Sequence, residues 1–146
     1  MLGSIIGIEE NTVLIKPNID LTKFDSLVNL HVIMEHSDKK IVGEIADIKQ
    51  NILYVNLLGE IINNKFVFGV IRKPAFSSSV KLISKEKIPM LIGMETEEEN
   101  KSLYLGTSPI YEGVRIGVDI NQFFSNHFAI FGSTGSGKSC SVARIF

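Results

Sequence analysis

The stretch from Leu30 to Leu58 reads LHVIMEHSDKKIVGEIADIKQNILYVNLL, and its pattern indicates the fold class of the chain. It holds three runs rich in Val, Ile, Leu and Tyr, which are Leu30–Glu35, Lys40–Ile48 and Ile52–Leu58. Polar residues separate them, Ser37-Asp38-Lys39 at one junction and Gln50-Asn51 at the other. Short runs of this composition, divided by turn-forming residues, predict consecutive antiparallel strands.

The same pattern continues in both directions from this stretch. Turns are expected at Glu10-Asn11 and near Asn63-Asn64, and Pro74 should end the run before it because proline cannot donate to a strand ladder. The further predicted strands are Leu2–Ile8, Thr12–Lys16, Phe66–Arg72, Val80–Ser84, Met90–Gly93, Ser102–Gly106 and Val114–Ile120. Many short strands at close spacing predict a mainly β fold, a small barrel or sandwich.

Composition and charge exclude several classes of protein. Of the 146 residues, 45% are hydrophobic, and 15 basic against 16 acidic residues leave a net charge of −1. That balance is not typical of a free-standing nucleic-acid-binding domain, although a local basic surface can exist within a neutral total. A single cysteine, Cys140, allows no internal disulfide. With no signal peptide and no apolar run of membrane-spanning length, we expect a cytoplasmic protein with no membrane partner.

The hydrophobic pattern of the sequence changes near residue 120. Phe128–Phe131 is a continuous apolar run, which is typical of a strand buried on both faces of a parallel sheet. We therefore predict two domains, a β-barrel over 1–120 and the start of an α/β domain over 121–146. Between two predicted strands, Met94–Lys101 carries four glutamates and is expected to be a solvated loop, with a partner-docking loop as the alternative.

The predicted nucleotide site follows the apolar run directly. The pattern of glycine, four residues, then glycine, lysine and serine or threonine is that of a phosphate-binding loop. Its glycines let the backbone wrap closely around phosphates. Its backbone N–H groups and the positive end of the following helix both attract the phosphates. The residues are Gly132, Ser133, Thr134, Gly135, Ser136, Gly137, Lys138 and Ser139, with Cys140 next to them on the first helical turn.

Two side chains of this loop have distinct predicted roles. Lys138 would contact the β- and γ-phosphates of ATP, and the Ser139 hydroxyl would bind Mg²⁺. A chance match is on the order of one in a few hundred for a chain of this length. A flexible glycine/serine linker is the competing interpretation. The placement of the loop between an apolar strand and a helix-compatible stretch, Lys138–Phe146, favours the phosphate loop.

The remaining candidate residues give weaker signals. Cys140 is either a packed side chain or a reactive thiol at a helix N-terminus. The three histidines have no metal-ligand spacing. The chain reaches Phe146 within the helix that the loop begins, with no acidic Mg²⁺ ligand or arginine finger after it. We expect it to be the front part of a longer protein, with no catalytic residue of its own and no ATP hydrolysis when alone.

The residues around the loop resemble a known family. Val118-Asp119-Ile120, followed by Phe124-Ser125-Asn126-His127-Phe128-Ala129-Ile130-Phe131 and then Gly132–Ser139, is similar to the entry of the ATPase domain in HerA-type proteins. These proteins belong to the HerA/FtsK group of hexameric DNA-translocating ATPases. The β-rich region before residue 120 resembles in strand pattern their N-terminal HAS barrel.

The resemblance implies both a fold and a function. It implies a RecA-like ATPase domain after the barrel, a homohexameric ring on double-stranded DNA, and ATP with Mg²⁺ as cofactors. It also implies that Gly132, Gly135, Gly137, Lys138 and Ser139 bind nucleotide. The barrel would assist assembly and dock a partner, a nuclease or a sirtuin-like effector, in DNA end processing or anti-phage defence. Two alternatives are a non-catalytic barrel for oligomerisation or partner binding, and a fragment of a rotary-ATPase-like subunit.

Overall fold

The computed structural model describes residues 1–92, 102–125, 127 and 129–145. The strands are Gly3–Glu9 (β1), Thr12–Pro17 (β2), His31–His36 (β3), Lys39–Lys49 (β4), Ile52–Ile62 (β5), Lys65–Phe68 (β6), Ser79–Leu82 (β7), Ser102–Thr107 (β8) and Arg115–Asp119 (β9). The helices are Ile88–Leu91 (α1), Ile120–Ser125 (α2) and Lys138–Ile145 (α3), and short 3₁₀ turns cover Leu21–Lys23 and Lys85–Lys87.

Six of the strands close into a barrel. The order is β2-β1-β7-β3-β4-β5, and β5 pairs again with β2, so no edge remains between the first and last strands. Every neighbouring pair is antiparallel. The hairpin strand β6 extends the sheet from β5, and β8 and β9 form a separate two-stranded ribbon. The predicted mainly β fold with a small barrel is confirmed.

Two tight hairpin turns set the register of the central strands. Gln50 and Asn51 join β4 to β5, and both have positive φ, at 49° and 61°. Asn63 and Asn64 join β5 to β6 with φ of 50° and 61°. Two consecutive residues with positive φ define the type I′ turn, whose twist matches that of the flanking strands. The turns predicted at these two positions are therefore confirmed.

The barrel interior is filled by side chains from all six strands. Alternate residues of β5 point inward, and Leu53, Val55 and Leu57 are buried. Breaks in the β4–β5 register after Val42 and after Ile45 mark irregular positions that let the long strand β4 curl around this core. The buried members of the core are Leu2, Ile5, Val13, Ile15, Leu27, Val32, Met34, Ile41, Ile45, Leu53, Val55, Leu57 and Val80.

A second apolar cluster holds the β8–β9 connection against the outside of the barrel. Val42, Ile83, Ile88, Leu91 and Tyr111 are its buried members. Lys85 Nζ also donates a hydrogen bond to the Glu112 carbonyl, at 3.2 Å. The ribbon is thus anchored through the segment that connects its two strands.

Tyr111 makes the most specific contact in this cluster. Its hydroxyl accepts a hydrogen bond from the His31 backbone N–H at 2.7 Å and lies 2.8 Å from His31 Nδ1. The hydroxyl also hydrogen-bonds Nδ1, and the direction of that bond follows the tautomer of the imidazole. Burial lowers the pKa of His31 despite the nearby Glu44, and burial raises the pKa of Tyr111. Both groups are consequently neutral near pH 7.

Replacing Tyr111 with phenylalanine should loosen this attachment. The change leaves the His31 N–H without its hydroxyl acceptor, a loss that typically costs about 1–3 kcal/mol. We expect the His31 amide hydrogen to exchange with solvent about tenfold faster, as measured by NMR, which corresponds to about 1.4 kcal/mol. Tyr104→Phe is the matched control, because the Tyr104 ring contacts Arg115 through its π face, 4.5 Å from the centroid. Unchanged His31 exchange in the Tyr111 variant would contradict this role.

Three predicted elements differ from the structure. The described part of the predicted strand Met90–Gly93, residues 90–92, is not a strand: Ile88–Leu91 is a helix, and Pro89 favours its first turn because its φ is already helical and its missing N–H needs no partner there. The run predicted to continue to Arg72 stops at Phe68, because Gly69 has a φ of +89°, which interrupts the extended backbone. Ile120 begins α2 and does not end β9.

The predicted strand before the phosphate loop is also not formed where the structure describes it. Residues 129–131 have no strand hydrogen bonding, and Phe131 is 90% exposed. A strand requires a neighbour, and the described residues offer none beside this segment. Phe128 and Met94–Lys101 lie outside the described residues, as does Gly93.

Candidate nucleotide-binding site

The loop from Gly132 to Gly137 connects residues 129–131 to α3 through a tight turn. The Ser136 N–H donates to the Ser133 carbonyl at 3.2 Å and closes this turn. Gly135 and Gly137 have φ of +82° and +84°, a region that L side chains rarely adopt. A Cβ on Gly132 would lie 2.5 Å from Ser136 Oγ. The backbone conformation therefore requires glycine at 135 and 137, whereas at 132 the clash is with a serine side chain that can rotate.

Lys138 is placed over the loop at the first position of α3. Its ammonium donates to the Ser133 carbonyl at 2.6 Å, so the side chain folds back across the turn. Lys138 is half-buried, whereas Gly132–Gly137 and Ser139 are exposed. The positive charge is thus held beside the loop backbone on a flexible stem, where an anionic group would meet it.

The start of α3 points its backbone donors toward the same region. The first hydrogen bond within the helix runs from the Ser141 N–H to the Gly137 carbonyl at 2.9 Å. The N–H groups of Lys138, Ser139 and Cys140 precede that bond and belong to the helix end that carries a partial positive charge. The loop, the lysine and the helix terminus together suit a phosphate, and the exposed Ser139 hydroxyl is a suitable oxygen ligand for Mg²⁺.

Of the other candidate residues, Cys140 follows the loop on the first turn of α3, whereas His31 and His36 are held elsewhere in the chain. Cys140 is exposed and does not pack into a core. His31 is held by Tyr111, and His36 Nδ1 lies 3.2 Å from Ser77 Oγ. Within the described part of the chain, no three His, Cys, Asp or Glu side chains form a metal-binding group. No helix there has the length and apolar character that a bilayer crossing demands.

Two features of the structure were not predictable from sequence pattern. One is the Tyr111–His31 contact, which joins residues 80 positions apart. The other is a pocket at the barrel end where His36 and Lys39 meet Arg72 and Lys73. The only sequence signal for the pocket is the Arg72-Lys73-Pro74 run, which by itself is an ordinary solvated loop.

The glycine-rich loop before α3 has the sequence pattern of P-loop nucleotide-binding proteins, and it follows a small closed barrel in the chain. Comparison with known proteins shows which family of such proteins this chain is similar to. Residues 103–146 match the family model described as Helicase HerA, central domain. That match begins within β8 and includes the ribbon, the phosphate loop and α3.

A curated relative gives the same result. The chain is 35% identical over 92 residues to the DNA double-strand break repair helicase HerA of Pyrococcus furiosus. The alignment covers 62% of this chain and 15% of that protein, so the chain spans a small fraction of its relative's length. The two matches confirm the resemblance to HerA-type ATPases that the residues around the loop predicted.

Proposed function

We propose that this chain is the front part of a HerA-type, ATP-dependent DNA translocase, and that Gly132–Ser139 binds the phosphates of ATP. The observation that supports this most strongly is the loop itself, with Gly135 and Gly137 at positive φ directly before α3. The match of residues 103–146, which include this loop, to the family model described as Helicase HerA, central domain, supports the proposal. ATP hydrolysis by the longer protein, compared with its Lys138→Ala variant, tests the proposal.

Four residues of the loop, Gly135, Gly137, Lys138 and Ser139, have defined parts in this proposal. The backbone N–H groups of Gly135, Gly137 and Lys138 surround the phosphates, and the Lys138 ammonium exchanges the Ser133 carbonyl for a phosphate oxygen. The Ser139 hydroxyl contributes one ligand to Mg²⁺. When bound, ATP would supply the transferable phosphoryl group and Mg²⁺ would neutralise part of its charge. We further propose that the 146-residue chain does not turn over ATP by itself.

The substrate and partners of the longer protein are also proposals. The relative from Pyrococcus furiosus is named a DNA double-strand break repair helicase, which supports double-stranded DNA as the polymer on which the motor moves. We propose a homohexameric ring in the cytoplasm, with a nuclease or a sirtuin-like effector docked on the barrel. DNA end processing and anti-phage defence are the two pathways that fit such a partner.

An assembly role for the barrel is the second candidate function, and the surface of β6 favours it. Val67 is 48% exposed and Phe68 is 79% exposed on this strand, which lies at the end of the sheet order. Phe66 and Phe68 contact each other edge to face, with ring centroids 4.9 Å apart. Exposed apolar side chains on a sheet edge are typical of a surface that pairs with another chain.

The assembly role predicts self-association that depends on Phe68. We expect light scattering on the 146-residue chain to show oligomers at about 100 μM, in the range of weak protein contacts. Phe68→Glu should shift the chain to monomers by placing a charge on the apolar surface. Ile6→Glu is the matched control, because Ile6 is 47% exposed on β1, away from β6. A strict monomer for the unmodified chain at the same concentration would contradict the proposal.

A further inference from the structure

A small pocket lies at one end of the barrel, between the β3–β4 turn and the segment that follows Arg72. Its volume is about 170 Å³. Met34, Ile41, Pro74 and Ala75 form an apolar floor, and Met34 and Ile41 are each only 1% exposed. Small-molecule pockets generally occupy about 300–1,000 Å³, so this volume suits a single apolar side chain better than a whole cofactor.

The walls of the pocket are held by contacts within the chain. Lys39 Nζ donates to the Arg72 carbonyl and forms an ion pair with Glu60 at 3.4 Å. Glu60 in turn accepts a hydrogen bond from the Ile71 N–H at 3.1 Å. The segment around Arg72 is therefore fastened to β4 and β5 by contacts within the chain.

The rim of the pocket is positively charged. Glu60 offsets the charge of Lys39, and the exposed side chains of Arg72 and Lys73 remain at the opening together with His36. None of the described residues that line the pocket is acidic. An apolar floor inside a cationic rim is complementary to an apolar side chain flanked by carboxylates.

We propose that this pocket docks an acidic peptide segment of a partner protein, with one apolar side chain on the floor and carboxylates against Arg72 and Lys73. The inference rests on the proposed docking role of the barrel and gives it a place and a chemistry. A nucleic-acid backbone fits less well, because its phosphates would use the cationic rim but leave the apolar surface of Met34, Ile41 and Pro74 without a partner. Binding here is independent of the phosphate loop.

The test is direct binding of a defined probe to the 146-residue chain. The probe is a fluorescein-labelled peptide with one leucine between two pairs of glutamates, followed by fluorescence anisotropy at low salt. We expect measurable binding that weakens as salt is raised, since exposed charge pairs are screened. Lys73→Glu and Arg72→Glu should each lower the affinity about three- to tenfold. Lys23→Glu is the matched control. It makes the same charge change at an exposed position in a 3₁₀ turn away from the pocket, and it should leave the peptide affinity unchanged.

Two further probes separate the contributions of charge and apolar contact. Replacing the glutamates by glutamines, or the leucine by serine, should each weaken binding at least about threefold. NMR of ¹³C-methyl methionine should show a shift for Met34 when the intact peptide binds. Absence of binding at about 1 mM, or equal affinity for the glutamine peptide, would overturn the proposal. So would binding of a 20-base-pair DNA that Lys73→Glu abolishes while the peptide does not bind.

These outcomes are distinguishable from failure of the nucleotide proposal. Lys138→Ala should leave peptide affinity unchanged, because α3 contributes no residue to the pocket. Loss of peptide binding with ATP turnover intact in the longer protein would therefore reject the docking site alone.

Discussion

Lys138→Ala is expected to abolish ATP turnover by the longer protein, with a fall in kcat of at least about 100-fold. In the structure the ammonium already lies at the loop, bonded to the Ser133 carbonyl at 2.6 Å, so it needs only a side-chain rotation to meet a phosphate. Alanine removes the one mobile positive charge at the site and leaves the glycine backbone in place. Steady-state phosphate release at saturating ATP and Mg²⁺ measures the effect.

Controls separate this loss from misfolding. Lys23→Ala removes an exposed lysine from a 3₁₀ turn of the barrel region and should retain full turnover. Lys138→Arg keeps the charge but not the compact ammonium, and should recover only part of the activity. Normal turnover in the alanine variant would reject the proposed role of the loop. Turnover by the unmodified 146-residue chain alone would reject the proposal that it needs the rest of the motor.

The strands were predictable because their signals are local. Three runs within Leu30–Leu58 became β3, β4 and β5, and the turns at Gln50-Asn51 and Asn63-Asn64 formed where polar residues interrupt the apolar pattern. Closure of the barrel was not predictable from local sequence signals. It depends on β5 pairing with β2, a contact between distant segments that no local pattern encodes.

The elements that were predicted wrongly share a physical cause. A short apolar run is compatible with either a strand or a helix. In the run that contains Pro89, the proline favours the helix α1. The apolar run before the phosphate loop was predicted as a buried strand, yet Phe131 is exposed because a strand needs a partner to pair with. Sequence pattern reports what a segment could bury, while neighbouring segments decide whether it does.

The two candidate sites differ in whether the sequence alone could identify them. Gly132–Ser139 could be identified from the sequence because the chemistry of the phosphate loop is contained in consecutive residues. The charged pocket at the barrel end could not, because Lys39 and Arg72 are brought together only by the β4–β5 pairing and the turn after Gly69. Contiguous motifs are therefore visible in sequence, and assembled surfaces are not.

Gly43 is a position in the barrel where even the smallest side chain should be costly. It lies on β4, opposite Leu57 of β5, at one of the irregular points of the register. A Cβ there would lie 2.5 Å from Val55 Cγ1 and 2.8 Å from the Asn56 carbonyl oxygen. Valine is a stiff side chain and the carbonyl is part of the ladder, so neither can move away without disturbing β5.

Gly43→Ala is therefore expected to lower the free energy of unfolding by about 3 kcal/mol, at the upper end of the usual cost of overpacking. Since small domains are generally stable by about 5–15 kcal/mol, this is a large share of the total. Urea unfolding followed by circular dichroism measures it. Gly106→Ala is the matched control, because a Cβ on Gly106 meets nothing within 4 Å, and it should be neutral or stabilising by up to about 1 kcal/mol. Equal unfolding midpoints for the two variants would show that β4 and β5 are not packed as closely as the barrel requires.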